Sequence, residues 1–512
     1  MISVVSFDVP RGTRANGRYA GVATRIALLL SGACVVARPV AASPWLEPGE
    51  VGLRHDIELL VDEGLLAVPV TVWPMSWPHI ARDLESVPTS LKPSEGALAA
   101  LERVRRRARA ESRTGGTLQW RAAASARPTD LRTFESVPRE EGELEGAFEW
   151  LGDRFAMRLS ATVVADPSDG KSVRPDGSYI GMTLGNWMLS GGYLERWWGP
   201  GWEGSNILGN NARPFPALAF DRKYSDPFET RWLSWLGPWS ANGFYGVLEG
   251  NREDVDHPHF LGLRLTFKPF NAFELGFART AQWCGDDRNC DWDTFWNLVT
   301  GKDNAGETVD PGEEPGNQMA SRWDMRWASP FDSGPWAFYY HDIGEDESDL
   351  KPIFRLQQGG FELWGDTTSG TSWRAHVEWS NTDPDCSEAR GPDGCAYRGG
   401  PMQIEGYSYY GRSLGHAMFH GGEMFSAGVT VMTAGGSEIN TVVGRAELDR
   451  RNAGDYHTVV NQPEERWSLD VSYRRTFGPA QLHIGVGGDH GSRDDGSDYL
   501  AGRGYVEVRG DF

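Results

Sequence analysis

The chain has 512 residues, a formal net charge of −21 and a mean hydropathy of −0.46. The acidic excess excludes a partner held by its nucleic-acid backbone. No apolar run reaches the roughly 18 residues that a membrane-spanning helix needs. A low mean hydropathy is still compatible with a membrane β-barrel, because each strand shows only alternate residues to lipid.

The first 42 residues are organised as a secretory signal peptide. Arginines between Arg11 and Arg25 precede the apolar run 26–36, and Val40-Ala-Ala42 provides small residues for cleavage before Ser43. We therefore expect an exported protein whose mature chain begins near Ser43.

Residues 43–113 are predicted to form a small helical domain. Apolar residues recur at helical spacing between Val51 and Val61, and a second helix is expected from Ser94, as N-cap, to about Ser112. Arginines 103, 105, 106, 107 and 109 give this helix a basic face, either a solvated surface or a site for anionic headgroups or glycan.

From about Thr117 the period changes to two, which predicts an antiparallel transmembrane β-barrel over residues 114–512. In Leu261–Phe267, for example, leucines and phenylalanine share one face while Arg264 and Thr266 share the other. In four of five such stretches the apolar face ends in an aromatic residue, whereas the polar faces carry Arg326, Arg374, His376, Glu378, Asp470 and His483. Charges inside and aromatic girdles outside are typical of a barrel in lipid.

The connections predict an orientation and a size. Short turns near 152–153, 268–271, 331–334, 367–370 and 477–480 alternate with long polar loops near 165–178, 199–230, 282–317, 381–402 and 489–499. Outer-membrane barrels have short periplasmic turns and long outer loops, so the helical domain would be periplasmic. We count about sixteen to twenty strands, enough to enclose an aqueous lumen unless loops fill it. The stretch 403–433 is the least regular.

Four cysteines follow the signal segment, in two close pairs. Of the three possible connectivities we expect the local bridges Cys284–Cys290 and Cys386–Cys395, which suit an oxidising compartment. The competing metal site is not favoured, because neither segment has a Cys-x-x-Cys pair or a nearby histidine. We expect no metal and no cofactor.

One segment is distinctive. Trp197-Trp-Gly-Pro-Gly-Trp202 is followed by Asn210-Asn-Ala-Arg-Pro214, and this pair of motifs resembles the capsule assembly Wzi family. Leu53-Arg-His-Asp-Ile57, Thr71-Val-Trp-Pro74 and Gly411-Arg-Ser-Leu-Gly-His416 also look like landmarks of that family. The resemblance implies an eighteen-stranded outer-membrane barrel, a periplasmic helical domain and a lectin-like role in attaching capsular polysaccharide. The cysteine pairs and acidic outer loops depart from the family pattern and leave the bound polysaccharide open.

The motif segment is also the candidate polysaccharide-binding site. Indole rings stack on the apolar faces of pyranoses, and asparagine and arginine groups match hydroxyls and carboxylates. The candidates are Trp197, Trp198, Trp202, Asn210, Asn211, Arg213 and Arg222. In the alternative interpretation, glycines and prolines shape the loop, and the tryptophans plug the barrel mouth with Asn210 or Asn211 as partners for their ring N–H groups.

Two other functions remain open. Among Glu195, Glu203, Asp221 and Glu229, two carboxylates about 5 to 10 Å apart would suit a glycoside hydrolase, but no serine-hydrolase or zinc-protease motif occurs and we expect no enzyme. In a passive porin, Arg264, Arg326, Arg374 and Glu378 would set ion selectivity rather than hold a plug. The expected partners are capsular or extracellular polysaccharide, outer-membrane lipid or lipopolysaccharide, and a polysaccharide-export machinery.

Overall fold

The computed structural model describes residues 43–87, 91–300, 318–329, 334–345, 354–384, 396–398, 405–454 and 457–512, with the backbone of 347–348 and 351–352. In these residues eighteen antiparallel strands close into a barrel, as predicted, and β18 pairs with β1. The first nine are β1 (Gly115–Ala126), β2 (Gly142–Leu151), β3 (Phe155–Ala165), β4 (Tyr179–Leu184), β5 (Trp187–Gly192), β6 (Ala217–Arg222), β7 (Trp239–Val247), β8 (His259–Phe270) and β9 (Phe273–Trp283). The others are β10 (Gln318–Ala328), β11 (Trp336–Glu345), β12 (Arg355–Asp366), β13 (Ser372–Asn381), β14 (Glu423–Met432), β15 (Glu438–Leu448), β16 (Glu464–Phe477), β17 (Ala480–Arg493) and β18 (Asp498–Asp511).

The two faces of the wall differ as the period-two pattern predicts. On β8, Leu263 is 47% exposed on the outside whereas Arg264, the next residue, is fully buried inside. Leu469 and Val486 are further examples of exposed outward side chains. The prediction that oily residues point outward and charged residues point into the lumen is confirmed.

Four α-helices accompany the barrel in the described residues: α1 (Val51–Asp62), α2 (Trp77–Glu85), α3 (Glu95–Glu111) and α4 (Trp292–Thr300). The predicted N-cap of α3 is confirmed, because the Ser94 hydroxyl accepts a hydrogen bond from the Ala97 N–H at 3.1 Å. None of the helices in this part of the chain is both long and apolar enough to cross a membrane.

Helix α2 was not expected, because its prolines suggested a break. Pro78 instead lies in the first turn, where a missing N–H costs nothing, and the Ser76 hydroxyl accepts from His79 N–H at 3.3 Å. The basic face of α3 also differs from expectation, because Arg103 turns inward and pairs with Asp56 at 2.6 Å.

Helices α1 to α3 lie at the barrel end that carries most of the short turns. On α3, the backbone N–H of Gly96 donates to Asp366 at 2.7 Å, at the turn between β12 and β13. Arg103 donates to the carbonyl of Thr433, in the turn between β14 and β15, at 3.1 Å. We call this the helix end of the barrel and the opposite one the loop end.

Two predicted loops are wrong. The expected loop 199–230 is interrupted by β6, so only the residues before β6 lie at the loop end. The residues after it belong to a long connection, 223–238, at the helix end, which contains the 3-10 turn Ser234–Leu236. The expected loop 489–499 shrinks to four residues, because β17 continues to Arg493 and β18 starts at Asp498. Hydrogen bonding between the two strands, which pairs Ser492 with Asp498, extends them past the polar residues that suggested a loop.

Candidate functional site

The loop that joins β5 to β6, residues 193–216, descends into the lumen instead of covering its mouth. Its two-residue strand Trp197–Trp198 pairs antiparallel with Val72–Trp73, in the segment between α1 and α2. The Gly199 N–H extends this pairing to the Thr71 carbonyl at 2.9 Å. The loop and the N-terminal segment thus meet inside the barrel and form one plug.

Helix α1 binds the same loop through Arg54. This side chain is 1% exposed, and its guanidinium donates to the carbonyls of Pro200 and Gly201, each at 2.7 Å. It also donates to Glu58 at 2.8 Å and lies 3.9 Å from the ring centre of Trp202. A single buried cation therefore joins the helix to the Gly-Pro-Gly turn.

Trp202 anchors the loop to the barrel wall. Its ring N–H donates to Glu362 at 3.0 Å, and its backbone N–H donates to Glu378 at 2.8 Å. The indole stacks on His376 with the ring planes 13° apart. The partner that the sequence suggested, Asn210 or Asn211, is not used for this ring.

Both asparagines bond to backbone carbonyls of other loops. Asn210 donates to Phe134 at 3.2 Å, and Asn211 donates to Ser413 at 3.4 Å. The backbone N–H of Ala212 also donates to Ser413, at 3.1 Å. The two bonds to Ser413 tie the second half of the motif to the segment 411–416, so all four landmark segments meet in the lumen.

Burial decides what the tryptophans do. Trp197, Trp198 and Trp202 are 1%, 1% and 2% exposed, so no ring face is open to a sugar. Phe134, from the loop after β1, lies edge-on to Trp197 at 5.3 Å between ring centres. The three rings are packing groups of the plug.

The lumen-facing charges of the wall hold this plug. Both Arg326 and Arg374 bind the carboxylate of Asp62 on α1, at 2.8 and 2.9 Å. Burial raises the pKa of Asp62, but the two guanidinium groups outweigh burial and hold it below its ordinary value. Arg264 donates to the Thr71 hydroxyl at 2.8 Å, and Glu378 accepts from the loop as described above. The four charges that would have set the selectivity of a porin are engaged by the plug.

Arg213 lies elsewhere, in a cleft at the loop end. The cleft is lined by Arg132, Arg139, Arg174, Arg213 and Arg412, two carboxylates and the rings of Tyr409 and Tyr410. We call it the arginine cleft. Four loops build it, namely 127–141, 166–178, 193–216 and the segment before β14.

Three of the five arginines are paired with carboxylates. Arg213 binds Asp176 through two bonds of 2.9 and 2.8 Å, Arg174 binds Asp169 at 2.9 Å, and Arg139 binds Glu195 at 3.0 Å. Burial lowers the pKa of Arg213, but Asp176 and Asp169 together outweigh it and raise that pKa.

The remaining two arginines have no carboxylate within 4.0 Å among the described residues. Arg132 donates to the Val137 carbonyl at 2.7 Å, and Arg412 donates to the Asp130 carbonyl at 3.2 Å. Burial is the main cause that lowers the pKa of both, with Arg139 adding repulsion on Arg132. The lining of the cleft thus carries five arginines against two carboxylates, on a protein with a net negative charge.

A larger cleft separates residues 127–138 from the wall strands β15 to β18. Its charges are mutually paired: Arg466 binds Asp130 at 2.8 Å, and Arg503 bridges Asp470 and Asp489. Charges already satisfied in this way offer less to an ionic ligand than Arg132 and Arg412 do.

Arg222 is separated from the other candidates. It ends β6 at the helix end, donates to the carbonyls of Tyr224 and Asp226 at 2.9 and 3.1 Å, and lies over the ring of Trp239 at 3.5 Å. The carboxylates of the hydrolase hypothesis are also dispersed. Glu195 pairs with Arg139, Glu203 binds His376 at 2.7 Å, Asp221 accepts from Trp45, and Glu229 lies on the connection 223–238.

The disulfide Cys284–Cys290 is formed, with 4.9 Å between the Cα atoms, in the loop after β9. Its predicted companion, Cys386–Cys395, falls outside the described residues, as does the predicted signal segment with Cys34.

The sequence missed the unpaired arginines. Arg132 lies in a loop without a recognisable motif, and Arg412 lies in the stretch whose periodicity was least regular. Two signals lay near Arg412, namely the landmark Gly411-Arg-Ser-Leu-Gly-His416 that contains it and the three tyrosines in Tyr407-Ser-Tyr-Tyr410 that precede it.

Comparison with known proteins agrees with the resemblance. A family model described as capsule assembly protein Wzi matches residues 110–488. An uncharacterized 55.8 kDa protein in the cps region of Klebsiella pneumoniae is 31% identical over 338 residues, which is 64% of this chain and 64% of that relative. The solved structure of Wzi from Escherichia coli, described as an outer membrane protein involved in group 1 capsule assembly and a carbohydrate-binding β-barrel, superposes with a TM-score of 0.79. That match has 23% sequence identity and covers 92% of this chain and all of the other.

Proposed function

This chain belongs to the capsule assembly protein Wzi family, and we propose that it is an outer-membrane lectin that holds extracellular polysaccharide at the cell surface. The barrel would span the outer membrane with its loop end outside and with the helix end, which carries α1 to α3, facing the periplasm, after removal of residues 1–42. The apolar outer wall supports the membrane placement. Capsule assembly, which gives the family its name, and carbohydrate binding by Wzi from Escherichia coli support the ligand class.

The observation that carries the proposal furthest is the arginine cleft. Guanidinium groups match carboxylates in geometry and charge, and Arg132 and Arg412 lack such a partner within the described residues. Tyr409 and Tyr410 add ring surface and hydroxyl groups to the same cleft. We therefore propose a polysaccharide that carries carboxylates, such as one containing uronic acids, and we place its contact at the cleft rather than at the tryptophans.

The porin alternative is less well supported, because the plug occupies the lumen from both ends. A closed lumen predicts that the purified protein gives almost no current in a planar bilayer. A steady open conductance in the unmodified protein would favour the porin.

Arg412→Ala tests the binding site. Hydrogen bonds to charged groups contribute about 1.5–3 kcal/mol, so binding should weaken by roughly tenfold to a hundredfold. The measurement is titration of the detergent-folded protein with uronate-bearing and neutral polysaccharides. Arg231→Ala, the same charge change at an exposed position of the helix end, is the matched control and should bind as the wild type does. Equal binding by Arg412→Ala and wild type would remove the cleft from the proposal.

The cellular role has its own test. Deletion of the protein should release polysaccharide into the medium while its synthesis continues, and unchanged attachment would contradict the role. We propose no catalytic function, because the carboxylates considered for hydrolysis are dispersed and engaged. Formation of new reducing ends during incubation with purified polysaccharide would contradict this.

A further inference from the structure

Helix α4 belongs to the long loop after β9, yet it lies against the outside of the barrel wall. Arg279 occupies an outward position of β9, in phase with Phe277, which is 49% exposed. From there it donates to the carbonyl of Leu298 at 2.8 Å and to that of Val299 at 3.3 Å. The loop therefore folds back over the rim and brings its helix down the outer face.

Two further contacts fix the helix in this place. The ring of Phe295 lies 5.2 Å from the ring of Trp283, which is the residue of the same outward row nearest the loop end of the barrel. Leu298 is 1% exposed, and Ala281, in the outward row between Arg279 and Trp283, is fully buried. One face of α4 is thus packed on the wall.

The side of α4 that adjoins this packed face is apolar and is not covered by the described residues. Trp292, Trp296 and Val299 are 72%, 55% and 43% exposed, at positions i, i+4 and i+7 of one helical stripe. Asp293 is the only charged residue in the helix. Asp293, Thr294, Asn297 and Thr300 fall on the other side of the helix, so its apolar residues form one sector that includes both the wall contact and the exposed stripe. A stripe that faced water would carry polar residues instead.

We propose that α4 is an interfacial helix whose stripe of Trp292, Trp296 and Val299 inserts into the outer leaflet of the membrane. The inference rests on the proposed membrane placement of the barrel. The stripe continues an outward aromatic row, in which Tyr245, His259 and Trp283 follow each other at 5.3 and 5.9 Å between ring centres. Aromatic residues in such rows mark membrane–water interfaces.

The proposal also explains an arginine on the lipid side of a strand. The last carbonyls of a helix have no partner within the helix, and in lipid an unpaired carbonyl is costly. Arg279 supplies donors to two of them and places positive charge at the negative end of the helix. The disulfide Cys284–Cys290 closes the chain between the strand end and the helix start, which limits how far α4 can move from the wall.

A photoreactive benzophenone side chain placed at Trp296 tests the occupant in the full-length protein in intact cells. The same group at Val377, an outward and 54% exposed residue of β13, is the positive control for lipid, and at Asp287, exposed in the same loop, it is the negative control. Each variant is first checked for heat-modifiable migration, which reports the folded barrel.

We expect adducts to lipid or lipopolysaccharide at positions 296 and 377 and none at position 287. Adducts at position 296 to capsular polysaccharide, to a second copy or within the chain would overturn the inference, because the stripe would then have another occupant. Lipid adducts at 377 without any at 296 would overturn it too and leave the membrane placement intact. Absence of lipid adducts at both positions would instead refute the membrane placement of the barrel.

Discussion

Removal of the Arg54 side chain should open the lumen. In Arg54→Ala the carbonyls of Pro200 and Gly201 lose their donors, and Glu58 keeps a buried charge without its nearest cation. Burial already raises the pKa of Glu58 even with Arg54 present. The substitution therefore weakens the contact between α1 and the descending loop in two ways, by removing the donors to the loop carbonyls and by leaving Glu58 of the helix without its nearest cation.

The size of the effect follows from burial. Removing one partner of a buried ion pair typically costs about 3–5 kcal/mol, and Arg54 is 1% exposed. Since about 1.4 kcal/mol corresponds to a factor of ten in an equilibrium, the open population should rise by roughly two to three and a half powers of ten. Single-channel recording in planar bilayers should then show frequent openings where the wild type shows almost none.

The control is Arg109→Ala, which removes an exposed arginine from α3. It should leave the conductance at the wild-type level. If Arg54→Ala is folded, as heat-modifiable migration would show, and is still closed, the plug does not depend on this cation and the reasoning fails.

Three further outcomes follow from the plug and its loops. Gly204→Ala should destabilise the protein by about 1–3 kcal/mol, because its Cβ would lie 2.0 Å from the buried ring of His416, whereas Gly146→Ala meets open space and should melt as the wild type does. Burial lowers the pKa of His416 to about 4 from an ordinary 6.5. Between pH 6.5 and pH 4 this histidine is therefore protonated in the unfolded chain but not in the folded protein, so the stability of the fold should decrease as the pH falls through that window. The decrease should be smaller in His416→Gln, which lacks the titrating group. A steeper pH dependence of the melting temperature in His416→Gln would contradict this. Finally, the double variant Cys284→Ser with Cys290→Ser should be digested faster by protease in the loop after β9, while its heat-modifiable migration stays that of the wild type. An unchanged digestion rate would show that the disulfide does not restrain this loop.

The wall of the barrel was predictable because its signal is local. Neighbouring residues such as Leu263 and Arg264 must face opposite sides of a strand, so the alternation in the sequence identifies the apolar face. The helix start at Ser94 is local for the same reason. Where strands run past polar residues, as at Arg493 and Asp498, the local signal fails because hydrogen bonding to the neighbouring strand decides the boundary.

The contents of the lumen were not predictable, because their contacts join distant parts of the chain. Arg54 and Pro200 are 146 positions apart, and Asn211 and Ser413 are 202 apart. Indole, amide and guanidinium groups suit both a sugar site and a packed polar core, so composition could not separate the two roles. The contacts separate them, since each tryptophan ring of the motif is enclosed within the plug, whereas the arginine cleft lies among the loops of the loop end and holds two arginines without a carboxylate partner in the described residues.

A barrel of eighteen strands is too wide for its own wall side chains to close, so something else must fill it. Here the motif loop and the N-terminal segment do so, which confines ligand contact to the loops outside the plug. Two variants can separate these tasks. Arg54→Ala should conduct ions and still bind polysaccharide, whereas Arg412→Ala should stay closed and bind poorly. If Arg54→Ala lost binding as completely as Arg412→Ala, the plug would itself shape the sugar site, and closing the lumen and holding the polysaccharide would be one function rather than two.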